Sequence, residues 1–284
     1  MTTLTEILRD FRARLAAGGV EDPAAEARIL VGGLLKLERT DFITRGDMQI
    51  GAEDAQRLAN AVARRLGGEP PYRILGHRAF HGLELELSEG TLEPRPDTEI
   101  LVDTVLELLK GRQSEPLRLL DLGTGTGAIC LALLSQLPNA RGLGVDLSED
   151  ALATARRNAA ANGLGNRFEA QASNWFEAIC GTFDVIVSNP PYIRSDVIPT
   201  LDREVREFDP LLALDGGEDG LAAYRVIASG ASAFLNEDGF VAVETGFDQR
   251  HAVRAIFEEK GFVEAVSRQD YGRNDRVQVF RSRI

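Results

Sequence analysis

Leu4, Ile7, Leu8, Phe11 and Leu15 recur every three or four residues with polar residues between them, a spacing that predicts an amphipathic helix. Thr3 and Glu6 form a capping-box signature at its start, and Gly18 and Gly19 end it. Asp22 followed by Pro23 predicts a second helix start, with Ala27, Leu30, Val31, Leu34 and Leu35 as its apolar stripe. A third helix is expected over residues 52–66, closed by Gly67, Gly68, Pro70 and Pro71. Helices joined by short turns predict a small bundle over residues 1–78.

The period then changes. Residues 79–87 (AFHGLELEL) alternate apolar and polar positions as a hairpin does, and residues 79–93 are expected to connect two domains. A helix is expected over 100–109. From residue 117 onward, short apolar runs alternate with helical stretches. Strands are expected at 117–121, 141–146, 168–172, 183–188 and 240–244, and helices at 128–137, 150–162, 221–234 and 248–260. Strands at 263–267 and 277–280 have little between them and predict an antiparallel pair. Residues 94–284 therefore read as an α/β catalytic domain, a doubly wound, Rossmann-like sheet of seven strands.

Composition narrows the class. Of the 284 residues 44% are hydrophobic and 27% charged, as in an ordinary soluble globular protein. No apolar run approaches the roughly 20 residues that span a bilayer, and the start lacks the basic-then-apolar layout of a signal peptide. A cytoplasmic location without a membrane partner is expected. The net charge of −12 disfavours an enzyme that depends on phosphate contacts, so a protein or small-molecule acceptor is favoured over nucleic acid. Cys130 and Cys180 have neither C-x-x-C spacing nor a nearby histidine pair; two buried apolar side chains are expected, with no metal.

The first chemical signal is Asp121-Leu122-Gly123-Thr124-Gly125-Thr126-Gly127-Ala128, between a strand and a helix. Glycines there let the backbone turn tightly and approach a ligand. The same run satisfies a relaxed dinucleotide fingerprint, and Asp146, some 20 residues on, could accept hydrogen bonds from ribose hydroxyls of either a nicotinamide cofactor or S-adenosylmethionine. Two details favour S-adenosylmethionine. Asp121 at the loop's start would repel a pyrophosphate but help hold a cationic amino-acid group, and the alternating glycines resemble the first motif of class I methyltransferases.

The second signal is Asn189-Pro190-Pro191-Tyr192, directly after the strand DVIVS. A planar amide or amino nitrogen is a poor nucleophile because its lone pair is delocalised. The Asn189 side-chain carbonyl and the Pro190 backbone carbonyl can accept its two N–H groups, Tyr192 can stack on its flat face, and two prolines stiffen the loop. Acceptors aimed at both N–H groups stabilise charge that develops on nitrogen, so no strong general base is required.

With these motifs, the chain resembles the protein-(glutamine-N5) methyltransferases that modify the Gly-Gly-Gln loop of class I peptide chain release factors. The resemblance spans nearly the whole chain: RILG (73–76), PRPDTE (94–99), DLGTGTGAI (121–129), SNPPYI (188–193), LDGGEDGL (214–221) and YGRNDRV (271–277). It implies an S-adenosylmethionine-dependent enzyme releasing S-adenosylhomocysteine, with residues 123–127 and Asp146 on the cofactor and Trp175 along the adenine. It also implies that Asn174 pairs with the adenine edge where the family commonly has Asp, and that Asn189 touches both cofactor and substrate. Asn189, Pro190, Pro191 and Tyr192 would clasp the glutamine amide, PRPDTE would line the site mouth, and the N-terminal helices would grip the release factor. Glu93 stands where an apolar residue is usual. A monomer is expected. His77, His81 and His251 read as surface or hairpin residues, Glu218 and Asp219 as a turn, and Arg273 and Arg276 as local ion pairs.

Other readings keep part of this chemistry. A ribosomal-protein glutamine N5-methyltransferase would use the same site. An adenine or guanine amino-methyltransferase would need a basic groove and base flipping, which the charge disfavours. The intact NPPY counts against a non-catalytic cofactor-binding scaffold and a nicotinamide dehydrogenase.

Overall fold

The structure, a computed structural model, describes residues 2–283. Its contacts divide the chain into two compact units, residues up to His77 with Arg203–Phe208, and Arg78–Asp202 with Asp209 onward.

The smaller unit is helical: Leu4–Ala17, Pro23–Leu35, Asp41–Thr44, Ala52–Leu66 and Pro71–Leu75. The capping box is present, with the Glu6 N–H donating to Thr3 Oγ1 at 3.2 Å and the Thr3 N–H to Glu6 Oε2 at 2.8 Å. Leu4, Phe11, Leu15, Leu30, Leu58 and Val62 meet in one core. Pro71 opens a helix here rather than only closing the previous one, because proline suits the first helical position and Gly76, at φ +78°, ends the turn. The helix Arg203–Phe208 joins this unit from far along the chain. Its Glu204 lies 2.5 Å from the buried Arg65 guanidinium, which also pairs with Glu26.

The hairpin, His77–Phe80 and Leu83–Glu86, turns through His81 and Gly82, both at positive φ as a two-residue hairpin turn demands. The division between the units falls inside its first strand, and from Arg78 on it belongs to the larger unit, where Phe80 and Leu85 are core residues.

Seven strands form the sheet of the larger unit: β1 (Arg118–Leu122), β2 (Arg141–Asp146), β3 (Phe168–Ala172), β4 (Phe183–Ser188), β5 (Leu235–Glu244), β6 (Phe262–Gln269) and β7 (Asp275–Ser282). Their spatial order is β3-β2-β1-β4-β5-β7-β6, parallel except for β7, which runs antiparallel to both neighbours. Leu119 and Val185 face one core, and Leu120 and Ile186 the other, so central strands read as unbroken apolar runs. The helix Ala128–Gln136 is buried nearly all round. The order reverses between β1 and β4, and a sheet wound this way leaves a crevice at the carboxyl ends of those strands. The expected seven-stranded, doubly wound α/β fold is the one observed. Cys130 is buried, but Cys180 is exposed, against expectation; it lies in the turn leading into β4.

Candidate active site

Three short loops leave the carboxyl ends of β1, β2 and β4 and converge. After β1, Gly123, Gly125 and Gly127 all take positive φ (71°, 54° and 83°), so the chain folds back on itself before the helix Ala128–Gln136. A Cβ at Gly123 or Gly125 would meet no other atom within 4 Å, so the loop turns a bare backbone face outward. The N–H groups of Gly123 and Thr124 both donate to the Val145 carbonyl, and Asp146 Oδ2 accepts the Gly125 N–H at 3.0 Å. The β2 carboxylate thus fastens the β1 loop.

Asp121 is 0% exposed, with Thr124 Oγ1 donating to its Oδ2 at 2.8 Å. Burial raises its pKa to about 7 against the pull of the Thr124 hydroxyl and of the Cys130 backbone N–H. A carboxylate buried behind a glycine loop favours positive charge in front of that loop.

A cavity of about 340 Å³ opens over this loop. Among the predicted site residues, Gly123, Thr124, Gly125, Thr126, Asp146, Trp175, Asn189 and Pro191 line it. Thr98 and Arg95 of the PRPDTE segment do so as well, together with Leu92, Ile129, Val145 and Leu147, which make the wall mostly apolar. Trp175 reaches the cavity from a backbone at φ +52°, a conformation costly for a large side chain and concentrated at functional sites. The bare backbone face, the Asp146 carboxylate and the Trp175 ring, with the Asp121 carboxylate buried behind the loop, fit an adenosine carrying a cationic amino-acid arm.

Five predicted residues lie outside the lining. Asp121 and Gly127 support the loop from behind. Asn174 is exposed, and its Nδ2 donates to Glu177 Oε1 at 2.7 Å. Pro190 is buried. Tyr192 lies beneath the loop, where its hydroxyl donates to Glu244 Oε1 at 3.3 Å.

Glu244, at the end of β5, was not legible as a site residue. It is 2% exposed, accepts the Thr98 hydroxyl on Oε2 at 2.7 Å, and stands at the centre of the acceptor loop's support. Asn189 Nδ2 in turn donates to Thr98 Oγ1 at 3.2 Å. Burial raises the Glu244 pKa to about 7, opposed by the Thr98 hydroxyl, by Arg276 and by Tyr192. Burial, then the charge of Glu244, raises that of the Tyr192 hydroxyl. Arg276 pairs with Asp270 at 2.9 Å and Asp97 at 3.4 Å, the local ion pairing expected of it.

The LDGGEDGL segment clamps the same loop. The Ile193 N–H donates to Leu214 O, the Gly216 N–H to Ile193 O, and Gln249 Nε2 to Tyr192 O. A Cβ on Gly220, at φ +74°, would stand 2.5 Å from Tyr192 O, so only glycine allows this approach. Asp219 caps the turn as expected, accepting the Leu221 N–H and pairing with Arg225. The unusual Glu93 is buried against Arg78, which explains a charged residue there. His81 bonds Asp103 at 3.0 Å in the hairpin, outside the cavity lining. Among the described residues, no group of three or more His, Cys, Asp and Glu is arranged to hold a metal ion, and no helix is long and apolar enough to cross a membrane.

The chain is similar to known proteins along nearly its whole length. A family model described as the PrmC N-terminal domain matches residues 6–76, and one described as a methyltransferase small domain matches residues 96–202. A release factor glutamine methyltransferase from Agrobacterium fabrum is 57% identical over 281 residues, covering 98% of this chain and 97% of that one. One from Caulobacter vibrioides is 40% identical over 276 residues, covering 97% and 95%. A crystal structure of a methyltransferase from Pyrococcus furiosus shares the fold, with a TM-score of 0.52 at 21% identity over 78% of this chain and 98% of that one. On sequence likeness along almost its entire length, the chain belongs to the release factor glutamine methyltransferase family.

Proposed function

We propose that the protein methylates the side-chain nitrogen, N5, of the glutamine in the Gly-Gly-Gln motif of class I peptide chain release factors. The observation that carries this reading is a shared cavity: Asn189 and Pro191 line the same space as Gly123, Gly125, Asp146 and Trp175. When bound, S-adenosylmethionine supplies an electrophilic methyl on a sulfonium, which passes to nitrogen as the sulfur–carbon bond breaks and S-adenosylhomocysteine is left.

In this reading the chain's own part is orientation. The residues that would hold the cofactor are Gly123, Thr124, Gly125, Thr126 and Gly127 with Asp146 and Trp175, while Asp121 faces its positive charge from behind. Asn174 gives one N–H to Glu177, and its second N–H and its Oδ1 are left for the adenine edge. Asn189 Oδ1 and the Pro190 carbonyl accept the two amide N–H groups, which turns the nitrogen lone pair toward the methyl and stabilises the charge that develops there. Tyr192 and the two prolines keep that pair of acceptors in place. The surplus proton leaves to solvent after transfer, when the methylated nitrogen is strongly acidic. The N-terminal helical unit grips the release factor away from its glutamine, and the enzyme acts as a monomer in the cytoplasm, without a metal and without direct contact to nucleic acid.

The test is a competition. The purified protein is incubated with methyl-tritiated cofactor and equal amounts of a release factor, a ribosomal protein and transfer RNA. Label confined to the release factor supports the reading; label in the ribosomal protein or the RNA alone overturns the substrate.

A further inference from the structure

An asparagine can perform the task given to Asn189 only if its carboxamide points one way. Oxygen toward the acceptor accepts an N–H; nitrogen toward it meets donor with donor. Nothing in the NPPY sequence selects between these faces. The selection comes from below. Glu244, when ionised, can only accept, so the Thr98 hydroxyl must donate to it, at 2.7 Å. Having spent its proton, Thr98 Oγ1 can only accept from Asn189, and it takes Nδ2 at 3.2 Å. Asn189 Oδ1 is thereby left for the cavity. The other Glu244 oxygen accepts Tyr192 Oη at 3.3 Å, so both ends of the NPPY loop answer to one carboxylate.

We propose that Glu244 and Thr98 are positioning residues that lock the Asn189 carboxamide with its oxygen toward the substrate nitrogen. The proposal rests on the amide-methylation reading above. Its corollary is a protonation switch. A protonated Glu244 can donate to Thr98, whose hydroxyl is then free to donate to Asn189 Oδ1, and the carboxamide turns its nitrogen outward. The groups that bear on Glu244 are Thr98 and Asp97 from the PRPDTE segment, Tyr192 from the acceptor loop, Arg276 from β7 and the Tyr224 hydroxyl, which donates to its backbone carbonyl; Asp270 acts through Arg276. Burial outweighs Arg276 and brings the titration to about pH 7, so the lock closes as pH rises through that value.

The experiment compares wild type, Glu244→Gln, Thr98→Val and Thr98→Ser at saturating cofactor from about pH 5.5 to about pH 8.5, with folding checked by thermal melting. Wild-type kcat is expected to rise through about pH 7 and level off. Glu244→Gln and Thr98→Val are expected to lose about 10-fold in kcat, the worth of one charged hydrogen bond, with cofactor affinity unchanged and the pH step gone. Thr98→Ser keeps the hydroxyl and is expected to keep both rate and pH step. A readout free of turnover accompanies this: in the unliganded protein the Asn189 side-chain amide resonances should shift with pH near 7, and stay fixed in Glu244→Gln. Wild-type rate in Thr98→Val, or an Asn189 resonance and pH step unaltered by Glu244→Gln, overturns the lock. A titrating Asn189 resonance in a protein that methylates no amide acceptor would instead overturn the functional reading and leave the lock standing.

Discussion

The cofactor side and the acceptor side of the cavity each rest on a buried carboxylate, and the two are held in opposite ways. Asp121 and Glu244 are both essentially inaccessible, and burial lifts both to about pH 7. Asp121 is held locally, by Thr124 three residues away and by the Cys130 backbone at the start of the following helix. Glu244 finds Thr98 and Tyr192, 146 and 52 residues distant in sequence. The cofactor side is thus a local structure that backbone conformation dictates, whereas the acceptor side exists only once β4, β5, the PRPDTE segment and the LDGGEDGL turn are assembled. Damage to the first should appear as weakened cofactor binding, and damage to the second as slow transfer with the cofactor still bound.

That contrast can be broken by substitution. The largest effect on turnover is expected from Asn189→Ala, which removes an oxygen aimed at the reacting nitrogen: kcat should fall roughly 1000-fold in single-turnover assays, with cofactor affinity by calorimetry changed far less. Gly220→Ala comes next. Its Cβ would collide with Tyr192 O and with Gln249 Nε2, 2.6 Å away, so the NPPY loop must move. A displacement of that kind should cost about 100-fold in kcat and little in cofactor affinity. Gly125→Ala probes the other side. Forcing an alanine to φ +54° costs about 1–2 kcal/mol, and the expected result is a cofactor affinity weakened about 10-fold with kcat at saturation near wild type. If Gly125→Ala and Gly220→Ala gave the same kinetic signature, the division between the two sides would be wrong.

The smallest expected effect is on stability as pH changes. In the folded protein Asp121 and Glu244 keep their protons up to about pH 7, against ordinary values of 3.8 and 4.5. Between those values the folded state binds more protons than the unfolded state, so stability falls as pH rises, by up to about 1.4 kcal/mol per pH unit for each group. Denaturant unfolding of the cofactor-free protein at pH 5 to 8 should show that decline, less steep in Asp121→Asn and in Glu244→Gln. A slope identical in all three proteins would remove the two carboxylates as its source.

The same contrast explains what the sequence made legible. The glycine loop, Asp146 and NPPY stand out because their geometry is written within a few neighbouring residues, and Gly123, Thr124, Gly125, Thr126, Asp146, Asn189 and Pro191 among them line one cavity. Most strand and helix positions are legible in the apolar pattern, amphipathic spacing for the N-terminal helices and unbroken apolar runs for the central strands. Glu244 did not stand out, for it ends the run FVAVE, where a carboxylate after apolar residues reads as a strand end. Its role comes from partners on other elements. Asn174 enters the site only through the family resemblance, where Asp is common, and in the structure Glu177, three residues on, takes one N–H of its amide. The helix Arg203–Phe208 carries too few apolar residues to announce where it packs; the buried Arg65, needing a second carboxylate, draws Glu204 into the N-terminal unit. The hairpin's alternation says nothing about which core takes its apolar face, and Phe80 and Leu85 join the larger one.

The central claim is that one cavity presents a glutamine nitrogen to the cofactor with the Asn189 oxygen as its acceptor. A crystal structure with S-adenosylhomocysteine and a glutamine-containing release factor peptide tests it most directly. The account predicts the ribose hydroxyls on Asp146, the indole of Trp175 along the adenine, and the glutamine amide donating to Asn189 Oδ1, with Asn189 Nδ2 still on Thr98. A glutamine seated away from Asn189, or an Asn189 released from Thr98 to present its nitrogen, would contradict it.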